Sequence, residues 1–356
     1  MNQLILGDCL EALKKIEAES IDLIYLDPPF FSNRNYEVIW GDEGEIRSFQ
    51  DRWSGGIDHY IAWLKERVAE MHRVLKATGS IFLHCDWHAN AYIRIYILDK
   101  IFGEQNFRSE ITWKRSSAHN DAKQGRKALG NITDKIFYYT KSDNYIFNQQ
   151  YTPYNDEYIS TYYKYIEDGT GRKYWLDNLQ GPGGKSKGNP QYEVMGVTRY
   201  WRYSKEKMMK LIEEGRVIQT KPGTVPKYKR YLDEMPGKAV QDLWDDIKGL
   251  GGFSGKSKER IGYPTQKPEK LLERIITMAS NKDDIILDPF VGGGTTVAVA
   301  ERLNRNWIGI DQSVSAIKIT EMRLDKQGSL FTPVPMRRLG TQRKDNRLKA
   351  ELRTEG

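Results

Sequence analysis

Ile285-Ile286-Leu287-Asp288-Pro289-Phe290-Val291-Gly292-Gly293-Gly294-Thr295-Thr296 is the stretch on which the fold turns. Ile285–Leu287 reads as a short buried strand. A glycine cluster follows, then a helical pattern over Val297–Leu303. Glycines let backbone approach a ligand closely, and a helix N-terminus offers it unpaired N–H groups. Trp307–Ile310 is a second buried run, and it ends at Asp311. A carboxylate in that place commonly takes a pair of ribose hydroxyls. The order strand, glycine loop, helix, strand, Asp predicts a nucleoside-cofactor site. The glycines do not match G-x-G-x-x-G, so the order carries the reading. The bland alternative is a tight turn with a helix-capping Asp.

Working outward, Leu4–Leu6, Ile21–Leu26, Ser80–His84, Glu110–Lys114 and Lys135–Tyr139 read as further strands. Tyr60, Leu64, Val68, Met71 and Leu75 share one helical face, with Asp58 as N-cap. Leu271, Leu272, Ile275, Ile276 and Ala279 form another stripe, opened by Pro268. Strands alternating with helices predict an α/β fold with a doubly wound, mostly parallel sheet. That pattern stops near Lys141 and returns after Val240. Between them the chain is rich in Tyr, Gly, Lys and Arg, with one clear helix from Ser204 to Glu214 closed by Gly215. The expected organisation is a discontinuous catalytic domain, 1–140 with 244–326, an inserted domain over 141–243, and a polar basic tail over 327–356. Gly181–Pro190 and Gly249–Lys258 are loops sharing the tetrapeptide Gly-Lys-Ser-Lys. Neither is a P-loop, because the first glycine would fall on Leu179 or Leu250.

A second motif follows the strand Ile21–Leu26: Asp27-Pro28-Pro29-Phe30. Two prolines stiffen the backbone at the strand's carboxyl edge, where α/β enzymes place ligands. An exocyclic amine has two protons and needs two acceptors; a planar base needs a flat face. Asp27 and the Pro28 carbonyl meet the first need and Phe30 the second. The bland reading is a strand-ending turn with an exposed Asp.

Composition sets the outer bounds. The formal net charge of +7 fits a polyanionic partner and equally a solubilising surface. Two cysteines, Cys9 and Cys85, exclude a disulfide framework and a Cys-based zinc cage, and fit a reducing cytoplasm. Neither a signal peptide nor a membrane-spanning run is visible, so the expected location is cytoplasmic. His84-Cys85-Asp86-Trp87-His88 resembles a metal cluster, but its side chains alternate between the two faces of a strand. It reads as strand-end packing, and no metal is expected; Asp86 or Trp87 could line a pocket.

Taken together, the two motifs resemble the amino-methyltransferase family of DNA methyltransferases. Gly7-Asp8-Cys9-Leu10, Trp244-Asp245-Asp246-Ile247 and Thr265-Gln266-Lys267-Pro268-Glu269-Lys270-Leu271-Leu272 look like that family's recurring elements. Asp-Pro-Pro-Phe precedes the glycine loop with a long insert between, which resembles the permuted β class. The resemblance implies a Rossmann-like methyltransferase sheet in permuted order, with the insert as a target-recognition domain. S-adenosylmethionine is the implied cofactor, with Asp8, Cys9, Thr265, Lys267, Asp288, Pro289, Phe290, Gly292, Gly294, Thr295 and Asp311 around it. Asp8 would take its adenine amine, Asp311 the ribose hydroxyls, and Thr265 and Lys267 would lie near its carboxylate. The implied catalytic residues are Asp27, Pro28, Pro29 and Phe30. The implied partner is double-stranded DNA, contacted by Lys185, Lys187, Arg199, Arg202, Lys256 and Lys258. A homodimer and a separate restriction endonuclease are further implied partners.

In that family Asp at the first motif position leans to adenine N6 and Ser to cytosine N4, so Asp27 favours adenine. Methylation of cytosine N4 is the nearest alternative. An RNA or protein-amide methyltransferase would usually carry Asn in place of Asp27. A non-catalytic DNA-binding module with a nucleotide fold fits poorly with an intact Asp-Pro-Pro-Phe motif.

Overall fold

The computed structural model describes residues 2–31, 35–40, 45–50, 56–116, 127, 129–251, 257, 259–263, 265–328 and 332–333. The chain forms two compact units. One joins Met1–Gln150 to Gln241–Gly356, and the other is Tyr151–Val240.

The first unit is built on one large sheet. Its strands are β1 (Gln3–Leu6), β2 (Ile21–Leu26), β3 (Leu75–Cys85), β4 (Phe107–Lys114), β5 (Thr133–Thr140), β6 (Leu243–Trp244), β7 (Ile285–Asp288), β8 (Asn306–Asp311) and β9 (Thr332–Pro333). Their spatial order is β6-β4-β5-β3-β2-β7-β8-β1-β9. Every neighbouring pair among them is parallel except the two pairings of β5, which runs antiparallel to β3 and β4. All six residues of β2 are buried, as expected of a strand with both faces covered. Among them is Asp22, which accepts two 2.8 Å bonds from the Lys76 ammonium and one from the Ile285 N–H. A buried charge is tolerated when paired and hydrogen-bonded in this way.

Helices α1 (Cys9–Leu13), α2 (Gly56–Val74), α3 (Glu269–Ala279), α4 (Thr295–Arg302) and α5 (Val314–Lys326) accompany these strands. Along α2, Tyr60, Leu64, Val68, Met71 and Val74 are buried at helical spacing. Each apolar side chain so buried contributes about 1.5–3 kcal/mol of transfer free energy. Truncating Leu64, which is fully buried, to Ala would cost about 2–5 kcal/mol.

Several expected boundaries move. α2 begins at Gly56, so Asp58 lies in its first turn instead of capping it. Leu75, placed on the helical stripe, opens β3 and pairs with Ile21. The strand expected over Ser80–His84 is therefore longer at both ends, because β2 pairs with it from Leu75 and β5 as far as Cys85. The helix after the glycine loop starts two residues early, at Thr295. Trp244-Asp245-Asp246-Ile247 proves to be an edge element: Trp244 pairs beside Trp113, the Trp113 indole donates to the Ile247 carbonyl, and Arg274 pairs with Asp246. No helix is long and apolar enough to cross a membrane among the described residues.

The second unit has its own core of Leu179, Val194, Trp201, Met208 and Val217. A four-stranded antiparallel sheet orders Val217–Ile218, Lys227–Tyr231, Lys173–Asn178 and Tyr165–Ile166. A hairpin joins Gln191–Val194 to Val197–Tyr200. Met195 and Gly196 turn it with φ of 47° and 79°, the left-handed pair that matches strand twist. Lys205–Glu213 is the helix expected here, with Ser204 as N-cap and Gly215 at φ 67° beyond its end. Gly181–Pro190 is a loop holding a single 3-10 turn, Gly184–Lys187.

Candidate functional site

In the first unit, β1, β2, β7 and β8 are parallel and adjacent, so their carboxyl ends share one edge of the sheet. That edge is where open α/β sheets bind ligands. A cavity of about 250 Å³ opens there. Asp27, Pro28, Pro29 and Phe30 line it after β2. Asp288, Pro289, Phe290, Gly292 and Thr295 line it after β7, Asp311 after β8, and Asp8 and Cys9 after β1. Thr265 and Lys267 enter from the segment before α3. Gly294 alone of these expected residues is not on the wall. It is the N-cap of α4 at φ 73°, where a Cβ would lie 2.7 Å from the Thr320 side chain.

The glycine loop has a structural reason for its glycines besides the one its sequence suggests. A Cβ on Gly292 or Gly293 would lie 3.0 or 3.1 Å from the Tyr263 side chain. The close approach is to a buried tyrosine ring packed over the loop. Arg323, reaching from α5, donates to the Gly293 carbonyl and the Thr295 hydroxyl and pairs with Glu269. The loop is therefore held from behind while its front faces the cavity.

Asp311 accepts from the Gly292 N–H at 3.0 Å and the Ser313 N–H at 2.8 Å. Burial still outweighs those bonds and pushes its carboxyl up to about 6. Asp288 accepts from the Phe290 N–H and the Thr296 hydroxyl. Burial, helped by the nearby charges of Asp27 and Asp311, pushes it up to about 7. Asp8 is differently employed. One oxygen caps α1 through the Leu10 N–H at 2.9 Å, and the other meets the Arg67 guanidinium at 2.7 Å. The oxygens assigned to an adenine amine are thus engaged in capping and pairing. Burial pushes the Cys9 thiol up to about 12, with Arg67 opposing, so it is no nucleophile near neutral pH.

Asp27 stands at the centre. Its Oδ2 takes a short bond from the Lys267 ammonium, which also lies 5.3 Å from the Phe30 ring centroid. Lys267, expected near a cofactor carboxylate, is therefore committed to Asp27. Asp27 Oδ1 is buried and accepts no hydrogen bond among the described residues. His84 Nδ1 lies 4.0 Å from that oxygen. An unfilled buried acceptor costs free energy unless a ligand fills it.

Sequence reasoning passed over several residues here. Trp63, Tyr25, Tyr263, Gln266 and Gln312 also line the cavity. Trp63 faces Phe290 at 5.9 Å and carries the Arg67 guanidinium at 4.2 Å. Trp63 lies off the apolar stripe of α2, so helical periodicity had no means of finding it. The signal for Tyr263 was its place two residues before Thr265. Asp86 and Trp87 do not line the cavity; Asp86 bonds the His88 backbone and ring, and Trp87 stacks on His88 at 3.8 Å.

In the second unit, Lys185, Lys187 and Arg199 are exposed. Arg202 is exposed too, with Asp177 at 3.5 Å. Lys256 and Lys258 lie outside the described residues.

A family model for N6/N4 DNA methylases matches residues 21–322. The DNA adenine methyltransferase YhdJ of Escherichia coli (strain K12) is 31% identical over 90% of this chain and 82% of its own. The type II methyltransferase M.EcaI of Enterobacter cloacae is 29% identical over 90% of this chain and 69% of its own. Among solved structures, the M1.HpyAVI–SAM complex is 18% identical, with a TM-score of 0.47 over 91% of this chain and 100% of that one. The chain belongs to the DNA methylase family.

Proposed function

We propose that this member of the DNA methylase family transfers a methyl group from S-adenosylmethionine to the N6 amine of adenine in duplex DNA. The observation that carries the reading is Asp27 Oδ1, a buried acceptor left open toward a cavity that ends in an aromatic face.

The cavity's residues fit the cofactor. Asp288 and Asp311 are carboxylates held short of full ionisation, so they gain from hydroxyl donors or a cation. Trp63, Pro289 and Phe290 are flat apolar walls for a purine. S-adenosylmethionine bound there supplies an electrophilic methyl on a sulfonium.

Everything else is done by the chain. A base inside a duplex hides its amine, so the target is flipped out. Phe30 stacks on it and recovers part of the few kcal/mol of unstacking. The amine lone pair is delocalised into the ring and is a weak nucleophile. Asp27 Oδ1 and the Pro28 carbonyl accept its two protons and favour a pyramidal nitrogen. The Asp27 charge stabilises the positive charge that develops on nitrogen. Lys267 fixes the carboxylate so that Oδ1 faces the base. No covalent enzyme intermediate is needed, which fits the inert Cys9.

Asp27 and the likeness to YhdJ support adenine over cytosine. The inserted unit, with Lys185, Lys187 and Arg199 exposed, is the target-recognition domain in this reading. The test is methylation of mixed-sequence DNA followed by nucleoside analysis and modified-base sequencing. N6-methyladenine is expected at one recurring site; N4-methylcytosine or 5-methylcytosine would overturn the choice of base.

A further inference from the structure

We propose that His84 carries away, through Asp27, the proton that the target amine sheds once it is methylated. This rests on the reading of Asp27 as the group that holds the amine.

The methylated amine must lose a proton. A carboxylate that kept it would remain neutral and could not hold the next amine. Asp27 Oδ2 is occupied by Lys267, so the proton arrives on Oδ1. His84 Nδ1 lies 4.0 Å from that oxygen. His84 itself is fully buried near the end of β3. Its Nε2 meets Asp134 Oδ2 at 3.2 Å, and its Nδ1 meets the Tyr25 hydroxyl at 2.9 Å. Trp113 edge-on at 5.6 Å and Phe30 at 5.8 Å fix the ring plane. A histidine needed only for packing would not require a buried carboxylate behind it.

The tautomer follows from the partners. Asp134 is surrounded by donors. Burial would push its carboxyl up, but the His84 hydrogen bond and the Arg115 charge hold it below the usual range. It accepts, so Nε2 carries the hydrogen, and Nδ1 offers its lone pair toward Tyr25 and Asp27. The other charged groups facing the ring are few. Tyr25 and Asp27 come from β2 and its end, Asp134 from β5, Arg115 from just after β4 and Lys267 from before α3; Cys85 and Asp86 follow His84 in the chain.

The step balances. The amine nitrogen's lone pair forms the N–CH3 bond as the methyl's bond to sulfur breaks and sulfur keeps that pair. The N–H bond then breaks, nitrogen retains its electrons, and Asp27 Oδ1 gains the proton. Closing from 4.0 Å to hydrogen-bonding distance, Oδ1 passes it to His84 Nδ1, while the Tyr25 hydroxyl rotates from donor to acceptor. Asp134 stabilises the imidazolium so formed. His84 is a positioning residue by this account, since it acts only through Asp27.

Multiple-turnover methylation at saturating cofactor and DNA tests the relay across pH. His84→Gln keeps one donor and one acceptor but cannot take a proton. It should slow turnover about 10- to 100-fold, with the first turnover and the cofactor and DNA affinities within about threefold, and should lose the acidic limb of the wild-type profile. Asp134→Asn should move that limb to lower pH, because the imidazolium loses its counter-charge. Nitrogen-15 NMR of the unliganded protein should find His84 neutral and protonated on Nε2 at high pH. The proposal is overturned by a His84→Gln rate and profile equal to wild type, by an Asp134→Asn limb that does not move, or by an Nδ1–H tautomer. If His84→Gln fails to fold, the Asp134→Asn profile and the tautomer decide. An inactive Asp27→Ala beside a wild-type-like His84→Gln would sink the relay alone; an active Asp27→Ala would sink the reading beneath it.

Discussion

The carboxylates of the two units differ in a way that separates a site from a scaffold. Around the cavity, Asp288 and Asp311 have only neutral hydrogen-bond donors beside them, and burial pushes them up to about 7 and about 6. In the second unit, Glu167 is held down at about 2 by hydrogen bonds from Tyr231, Thr170 and Lys229. Glu234 is held at about 2 by Arg216, with burial opposing and Arg172 assisting. Arg172 also grips Asp233 with two bonds of 2.9 Å. These three acids find their partners within the second unit itself. The cavity has left its acids short of partners, so a ligand with donors or positive charge is what completes them.

The sharpest way to break this contrast is to remove the acid with one buried oxygen left open. Asp27→Ala should lower methyl transfer about 10³-fold with cofactor affinity within a few fold. Near-native turnover in a filter-binding methyl assay would end the assignment.

Next comes pH. Below about 6, Asp311 is protonated, and hydroxyl donors need the carboxylate. Cofactor affinity should fall about tenfold per pH unit below that point, with a proton released on binding. Asp311→Asn should flatten the dependence in calorimetry. The unliganded protein should show the reverse linkage. Asp288 and Asp311 bind protons more tightly folded than unfolded. The stability they contribute is present below their ordinary 3.8 and lost as pH rises through about 6 and about 7. Glu167 and Glu234 have the opposite sign. Their contribution is full above their ordinary 4.5 and lost only as pH falls toward about 2. Between pH 5 and 7.5, amide protection factors, corrected for the intrinsic rise of exchange with pH, should therefore fall in the first unit and hold steady in the second.

Two smaller effects belong to the second unit. Lys185→Ala with Lys187→Ala should weaken DNA binding roughly tenfold and reduce the salt slope by about 2, uniformly across sequences. An unchanged slope would remove both lysines from the interface. Glu234→Gln should cost only about 1 kcal/mol of stability, because Asp233 remains for Arg172; urea melting would detect it.

Much of the first unit was legible because its signals are local. Ile21–Leu26 is a six-residue buried run, and each stripe of α2 and α3 recurs at helical spacing. The boundaries that slipped, at Asp58, Leu75 and Thr295, were set by strand pairing and backbone conformation that no local pattern encodes. Nearly every residue chosen for the cavity lines it, since strand ends and glycine loops mark the carboxyl edge of a parallel sheet wherever they occur.

What those residues touch was another matter. By itself the sequence determined which strands are buried, the order of the elements, and the identity of the acid after β2. These depend on hydrophobic period and on the rigidity of proline and glycine, which act between near neighbours. Only the tertiary structure decided that Lys267 grips Asp27 across 240 positions, that Asp8 answers to Arg67, and that the loop glycines make room for Tyr263. It also decided that His84, which looked like strand-end packing, stands between Asp134 and Asp27. Such pairings arise where separate elements converge on one low-dielectric edge, and there burial and distance, not spacing along the chain, set which charge meets which.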